Sequence, residues 1–483
     1  MFTKKLLSFI FSLAVCVNFS QAQNAPADGK WSVQECIDFA MNKNISIKQA
    51  KLNVNSYEAT LFQSKMGLYP TVNGQLGYGL STGRVLNQTT YQYEQGSQQY
   101  LNPSLNMNLN LFRGLQQQNT IKQNKTVVTA YRFDAENSQN TVILNIVNYY
   151  LQVLNNKEQV EVAKNQIKVS QEQVDRTARL VEAGSKPETD LYDLKSQLAN
   201  DELSLVTAEN ALRLAKLNLM QQMNLPFTDS FEIEGVQLND PTEETYKETT
   251  QQIYDIAQGS QPNVKAADTR IESSQLGVAV AKGGLYPTLS LQGSLSSQYS
   301  NRTQKTIFGQ PVPKTDIVGY VNNDPSMPVL YTYTDVPRTT ESYSIGSQFK
   351  DYYQKYVGLN LSIPIFNAWQ TRTRITTASI TKQQAELTAQ NTRVQLRQTI
   401  EQAYNDMVAA SKKYAAYKKQ VEALELSFKS TSNRFQVGLA NSLDVSLAQN
   451  NLSKAKANFV QAKYDYIFRT KILDFYQNKP ITF

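Results

Sequence analysis

The sequence predicts a mainly α-helical chain with a membrane β-barrel part, built from a duplicated helix-strand-strand-helix-helix unit. Three observations carry this reading. First, Ile146, Val153, Val160, Ile167, Val174 and Val181 are apolar residues at strict seven-residue spacing. A period of seven rather than 3.6 keeps one seam facing a partner only in helices that supercoil left-handedly. Second, adding 254 to each number gives Ile400, Met407, Tyr414, Val421, Phe428 and Phe435, and the same shift turns Leu191, Leu198, Leu205, Leu212 and Leu219 into Val445, Leu452, Phe459, Tyr466 and Leu473. The chain is therefore an internal duplication, and each half carries a long coiled-coil hairpin. Third, the apolar period changes to two directly after a Tyr-Pro-Thr in each half. Val72, Leu76, Tyr78 and Leu80 alternate with Asn73, Gln75, Gly77 and Gly79, and Leu289, Leu291 and Leu295 alternate with Ser290, Gln292 and Ser294; a later run repeats the pattern with Val357, Leu359, Leu361 and Ile363 against Gly358, Asn360 and Ser362. Period two marks a strand with one apolar and one polar face.

Taken in order, residues 1–22 read as a secretory signal peptide. Lys4 and Lys5 precede the apolar run from Leu6 to Val17, and Ser20-Gln21-Ala22 puts small residues where a signal peptidase reads, so the mature chain is expected to begin near Gln23. Cys16 falls within this segment, where Val15 is too large for the small residue that usually precedes a lipoprotein cysteine. The first repeat (23–224) predicts a helix over about Ser32 to Met66, strands over about 71–83 and 100–112, and a long helix over about Leu115 to Glu182. After a break at Ala183 to Pro187, a return helix runs to about Met223. The linker 225–243 holds Pro226 and Pro241, and its alternating Phe231, Ile233 and Val236 suit a short strand on the outside of the helices. The second repeat (244–483) predicts a helix over about Glu244 to Lys282, strands over about 288–300 and 352–365, a long helix over about Ala368 to Gln436 and a return helix from Ser442 to Gln477. Gly67-Leu68-Tyr69-Pro70-Thr71 recurs as Gly284-Leu285-Tyr286-Pro287-Thr288 at a shift of 217, so the second half carries an insertion of 37 residues, in the polar, Pro- and Tyr-rich stretch 301–343. The long helices span on the order of 100 Å at ~1.5 Å per residue. Each alternating run has about the 9 to 11 residues that cross a bilayer as a tilted strand.

Composition narrows the function. The precursor has 48 Lys plus Arg against 41 Asp plus Glu, and losing Lys4 and Lys5 leaves a modest net charge of +5, scattered along helices without aromatic interleaving. Nucleic-acid binding is not expected. Histidine is absent, Cys36 is the single mature cysteine, and no nucleophile elbow or phosphate-cradling glycine loop is present. The expectation is a non-enzyme without cofactor or metal. No segment other than the signal approaches the 18 or more apolar residues of a membrane helix, so any crossing is by strands. Four strands cannot close a barrel, and open edges in lipid would leave backbone groups unpaired at several kcal/mol each. Copies must complete the sheet: two give eight strands and three give twelve. Polar-face residues of Asn, Gln, Ser and Gly suit a water-filled lumen, which favours three.

These features together resemble the TolC-like outer membrane efflux protein family over essentially the whole mature chain. The barrel-entry turns Tyr69-Pro70 and Tyr286-Pro287 occur in both repeats. Each helical turn carries a glycine followed six residues later by aspartate: Gly184-Ser185 to Asp190, and Val437-Gly438-Leu439-Ala440 to Asp444. The resemblance implies a homotrimer with a twelve-stranded barrel in outer-membrane lipid and a periplasmic α-helical coiled-coil tunnel. It implies a passive exit duct of a tripartite efflux or type I secretion system, fed by a periplasmic adaptor protein and an inner-membrane transporter of RND or ABC type. The tips Gly184, Ser185, Val437, Gly438, Leu439 and Ala440 would contact the adaptor. The periplasmic gate would involve Asp444, with Asp190, Leu447 and Phe435 as further positions. Leu447 stands where a second acidic residue is common, and Ala440 where a gate-locking Arg would be expected, so a single acidic ring or an apolar constriction is the expectation here. The glycines have a local reason as well, because reversing a helix within a few residues calls for positive φ. A periplasmic coiled-coil scaffold or adaptor that does not span the membrane is the alternative; it accounts for the heptads but not for four amphipathic strands at duplicated positions.

Overall fold

The computed structural model describes residues 29–86, 92–235, 246 and 248–479. The expected signal segment 1–22, and residues 236–243 of the linker, lie outside the described residues. In chain order the elements are β1 (Lys30–Trp31), α1 (Val33–Lys43), α2 (Ile45–Met66), β2 (Thr71–Leu86), β3 (Tyr93–Arg113), α3 (Gln116–Glu182), α4 (Glu188–Met223), β4 (Glu232–Ile233), α5 (Thr250–Ser260) and α6 (Pro262–Gly283). They continue with β5 (Thr288–Ser296), β6 (Tyr299–Ser300), β7 (Gln304–Phe308), β8 (Val312–Tyr320), β9 (Pro328–Asp335), β10 (Arg338–Ser342), α7 (Ile345–Asp351), β11 (Gln354–Ser362), α8 (Gln370–Gln436) and α9 (Ser442–Tyr476). Two compact units result. One holds the chain up to Glu58, Thr126–Ile271 and Gln383 onward; the other holds Ala59–Lys125 and Glu272–Lys382.

The first unit is helical. Every residue of the two seven-residue series is buried or half-buried. Ile146 and Val153 pack with Tyr150, Leu219, Met220 and Met223 in one cluster, and Ile400, Met407 and Tyr414 pack with Ile253, Tyr466 and Leu473 in the corresponding one. The linker supplies a short strand: β4 pairs in parallel with β1, Trp31 opposite Ile233. Tyr150 fixes this pair from below, its hydroxyl donating to Glu234 O (2.8 Å) and lying 3.2 Å from Trp31 O. Cys36 is buried in the same cluster, and burial, aided by the neighbouring Glu35 charge, pushes its thiol up to about 12.

The leading helix of each repeat is two helices rather than the single one expected over about Ser32–Met66 and Glu244–Lys282. The break falls at Asn44 in the first repeat and at Gln261 in the second, which correspond under the shift of 217. Asn44 leaves helical geometry (ψ 131°), and its side-chain oxygen accepts from Ser46 N (2.9 Å) and Ile47 N, so it acts as a new N-cap. Gln261 precedes Pro262, which disfavours helical geometry at the residue before it and suits a helix start. Reciprocal capping boxes open α1 (Ser32 with Glu35) and α5 (Thr249 with Gln252), again one shift apart.

The second unit is built on an antiparallel sheet of order β11-β5-β3-β2, with β6 on β3. The third strand, expected over about 288–300, ends at Ser296 and resumes as β6, the gap lying near Pro103 of β3, which has no N–H to give. The fourth, expected over 352–365, ends at Ser362 ahead of Pro364. The insertion 301–343 folds into two ladders, β7 with β10 and β8 with β9.

Candidate functional site

The sheet register sorts side chains into two faces. On one lie the rows Val72, Met107, Gly293, Val357 and Leu109, Leu291, Leu359, with Leu289 opposite Leu361 and Leu105 opposite Leu295. On the other lie Asn73, Asn106, Ser294, Tyr356 and Thr71, Asn108, Gln292, Gly358, with Gln75, Ser104, Ser296 and Gln354. The apolar face lies open at its centre among the described residues: Val357 is 77% exposed and Leu359 68%. Among the described residues, neither edge strand, β2 or β11, has a partner along its outer side. A two-faced sheet with an uncovered apolar side is costly in water and suited to lipid. The strands start at the expected turns. Tyr69 N and Tyr286 N each close a tight turn on the preceding helix end (Met66 O, Gly283 O), and Pro70 and Pro287 hold the chain extended into Thr71 and Thr288. Tyr69 and Tyr286 are both exposed. No described helix is long and apolar enough to cross a membrane.

The two hairpin tips of the helical unit end in the same way. Gly184 (φ 70°) and Gly438 (φ 78°) are left-handed, Ser185 N bonds Leu180 O and Leu439 N bonds Arg434 O (2.8 Å each), and the glycine N–H groups reach Val181 O and Phe435 O. These are paired Schellman motifs, in which glycine meets the positive φ without a Cβ penalty. The return helices then differ by one residue. Asn441 caps α9 through its side chain, and Asp444 answers as the third helical residue, accepting from Asn441 N at 3.2 Å. At the corresponding place α4 has Pro187, which has no capping side chain. Asp190 is therefore not engaged in a box. It turns to Lys186 (3.6 Å) and Ser442 Oγ (3.2 Å) and is largely covered, whereas Asp444 stays at the surface.

Of the expected gate residues, Asp444 and Leu447 lie exposed on α9, one turn apart. Phe435 is different: it is 6% exposed, packed with Val174, Leu194 and Val445, with Lys186 Nζ 4.0 Å from its ring centroid. It belongs to the core of the tip because it continues the seven-residue seam that packs inward. Among the expected contact residues, Gly184, Ser185, Val437, Gly438 and Leu439 are exposed, while Ala440 is half-buried against the Phe435 cluster.

Sequence reasoning missed Leu443, Asp193 and Ser442. Ser442 joins the two hairpins, its hydroxyl lying 2.9 Å from Asp193 Oδ2 and 3.2 Å from Asp190 Oδ1. Leu443 is 60% exposed. The signal for it was available: the buried positions of α9 run Ser442, Val445, Gln449, Leu452, and Leu443 and Leu447 fall off that spacing. Farther from the tip a buried polar cluster also joins the hairpins. Asp201 accepts from Gln197 (2.9 Å) and from Ser170, and Gln449 donates to Ser170. The second-repeat positions that correspond to Ser170 and Asp201 are Leu424 and Ala455, so this serine–aspartate pair is present in the first repeat alone.

Two stretches, residues 36–225 and 253–471, match the outer membrane efflux protein family. The chain belongs to that family. Membership makes it an efflux protein of the outer membrane, and the family and its structural neighbours are channel proteins. Outer membrane efflux protein BepC of Brucella suis biovar 1 (strain 1330) is 20% identical over 429 residues, 89% of this chain and 81% of that one. Outer membrane protein TolC of Vibrio cholerae serotype O1 is 22% identical over 346 residues, 68% of this chain and 66% of its own length. The crystal structure of the outer membrane protein VceC from Vibrio cholerae superposes with a TM-score of 0.70 at 15% identity, covering 93% of this chain and 97% of that one, which establishes the shared fold.

Proposed function

We propose that this efflux channel is the passive exit duct of a tripartite efflux or type I secretion system. In this reading three copies close a twelve-stranded barrel, and a periplasmic adaptor connects the duct to an inner-membrane pump of RND or ABC type. The sheet supports it most strongly. Its four strands alternate in direction, so β11 of one copy can extend β2 of the next as another antiparallel ladder, and an even number of strands per copy closes the ring without a mismatched pair. Detergent-extracted protein should size as three copies and form pores in planar bilayers. A monomer that nonetheless conducts, or release from membranes without detergent, would remove the barrel and return the non-spanning scaffold.

The α8–α9 tip is the proposed periplasmic entrance. Three Asp444 carboxylates near an axis would attract cations and resist anions. Leu447 would line the same opening, Phe435 would hold the tip's shape from inside, and Asp190 would act through Ser442 as a strut between hairpins. Val437, Gly438, Leu439 and Leu443 on one tip, and Gly184 and Ser185 on the other, would meet the adaptor. Asp444→Asn keeps an acceptor for Asn441 N and costs only the charge-dipole contribution of about 0.3–1 kcal/mol. Trimers should therefore form normally, with cation preference reduced severalfold in bilayer recordings. Unchanged selectivity in an intact trimer would make Asp444 a cap and nothing more.

A further inference from the structure

The stretch between Ser300 and Ser344 is fixed at its neck. Gln348 is fully buried; its Nε2 donates to Ser300 O (3.0 Å) and Tyr343 O (2.8 Å), and its Oε1 accepts from Ser300 N (3.0 Å). Arg302 ties the same base to β3 through Ser97 O (2.9 Å) and Glu94 (3.1 Å), and Asn301 Oδ1 accepts from Gln99 N (2.8 Å). Beyond this neck β7 and β10 pair, Gly309 N bonds Pro337 O, and β8 and β9 continue the hairpin to its turn at 321–327.

A two-stranded ladder standing alone in water is marginal. The two sides of β8–β9 differ in how they answer this. One side carries Lys314, Asp316 and Asp335 with Tyr331 and Tyr333. It satisfies itself: Tyr333 Oη bonds Asp316 at 2.7 Å, Lys314 lies 4.0 Å from Asp335, and the two tyrosine rings stack. The other side is Pro313, Thr315, Ile317 and Tyr320 opposite Thr334, Thr332, Leu330 and Pro328, with no charge. It is uncovered, with Ile317 54% and Leu330 60% exposed.

We propose that this uncharged side packs against the same side of the other two copies at the threefold axis, forming an apolar collar over the end of the barrel away from the helices. The inference rests on the trimer reading above. Closing the sheet through β2 and β11 sets three necks, each fixed on β3, on one rim, and so brings three copies of the hairpin to the same end of one axis. Three identical sides meeting at an axis form a closed contact that adds no further copies. The stretch 301–343 holds four Lys or Arg and four Asp or Glu, so three copies carry no net repulsion, and a phosphate-rich lipid headgroup surface would have called for a basic excess.

The test is proximity. Leu330→Cys and, on the charged side, Lys314→Cys are compared as purified protein, sized first and then treated with a short bis-maleimide. The parent serves as blank, since Cys36 is buried with its thiol raised to about 12. Leu330→Cys should lose most of its monomer band to cross-linked dimer on a denaturing gel, with Lys314→Cys left as monomer; Ile317→Cys repeats the measurement if Leu330→Cys does not assemble. Equal linking at both positions, or none at Leu330 and Ile317 in a protein that sizes as a trimer, overturns the collar and leaves the duct intact. A protein that sizes as a monomer overturns both.

Discussion

Leu359→Arg should abolish assembly while Asn360→Arg, one residue on, should not. The two side chains leave β11 on opposite faces. Leu359 sits in the middle of the apolar face, in the row with Leu109 and Leu291, and is 68% exposed within the protomer. If that face meets lipid, an arginine near the bilayer midplane costs about 2–4 kcal/mol per copy. Three copies share one barrel, so the penalty is incurred three times in a single cooperative structure. Asn360 faces the other way, in the row with Asn110 and Ser290. There an arginine remains hydrated in the lumen, and three of them should move the pore's preference from cations toward anions. Urea titration of the protein refolded in lipid vesicles reads the first effect, and reversal potentials read the second. If Leu359→Arg folds like the parent and Asn360→Arg does not, the faces are inverted; if both fold normally, the sheet does not lie in a membrane.

That contrast depends on a periodicity legible in the sequence, and so did most of the fold. A repeating apolar spacing is a local record of burial, which is why Ile146 to Val181 and Ile400 to Phe435 identified the long helices and Tyr69-Pro70 marked where strands begin. The glycines at 184 and 438 were legible for the same reason, since reversing a helix constrains φ at one residue. What escaped reading depends on partners far away in the chain. Asn44 reads as an ordinary helix residue until its Nδ2 is seen reaching Gln222 O at 2.9 Å. Asp190 and Asp444 look equivalent in the repeat, and their different settings follow from Pro187 replacing the capping side chain of Asn441. Phe435 lies beside the turn, and its place on the seven-residue seam implies the inward packing that its 6% exposure shows. The insertion gave no period at all, because each side of its β8–β9 ladder mixes polar and apolar residues, a bulge falls between Ile317 and Gly319, and the stretch is fixed by Gln348, a residue outside it.

The duplication itself yields the last expectation: Gly114→Ala should be severely destabilising, while Ala368→Gly should be nearly neutral. In both repeats the chain leaves a strand for a long helix through two consecutive left-handed residues, Gly114 and Leu115 (φ 55° and 59°) and, 254 positions later, Ala368 and Trp369 (φ 48° and 62°). A left-handed conformation costs a non-glycine residue roughly 1–2 kcal/mol. Ala368 and Trp369 carry that cost already, with Arg372 lying over the Trp369 ring at 4.2 Å. At Gly114 the conformational cost is not the main one. A Cβ there would lie 2.2 Å from Gly283 O and 2.9 Å from Tyr286 Cβ, so the backbone of the entry turn into β5 would have to move. Overpacking of this kind adds about 1–3 kcal/mol. Because Tyr286 and Pro287 aim β5 into the sheet, the displacement should reach strand pairing and reduce the assembled fraction rather than only lower a melting point. Ala368→Gly relieves the left-handed cost but frees the unfolded chain by about 0.4–1 kcal/mol, which offsets roughly half of the gain and leaves a small net change on the stabilising side. Urea melts of both variants and the yield of trimer by sizing provide the comparison. Equal, small effects at the two positions would mean that the first repeat's turn can yield at Gly283, and that close backbone approach at Gly114 does not position the strand.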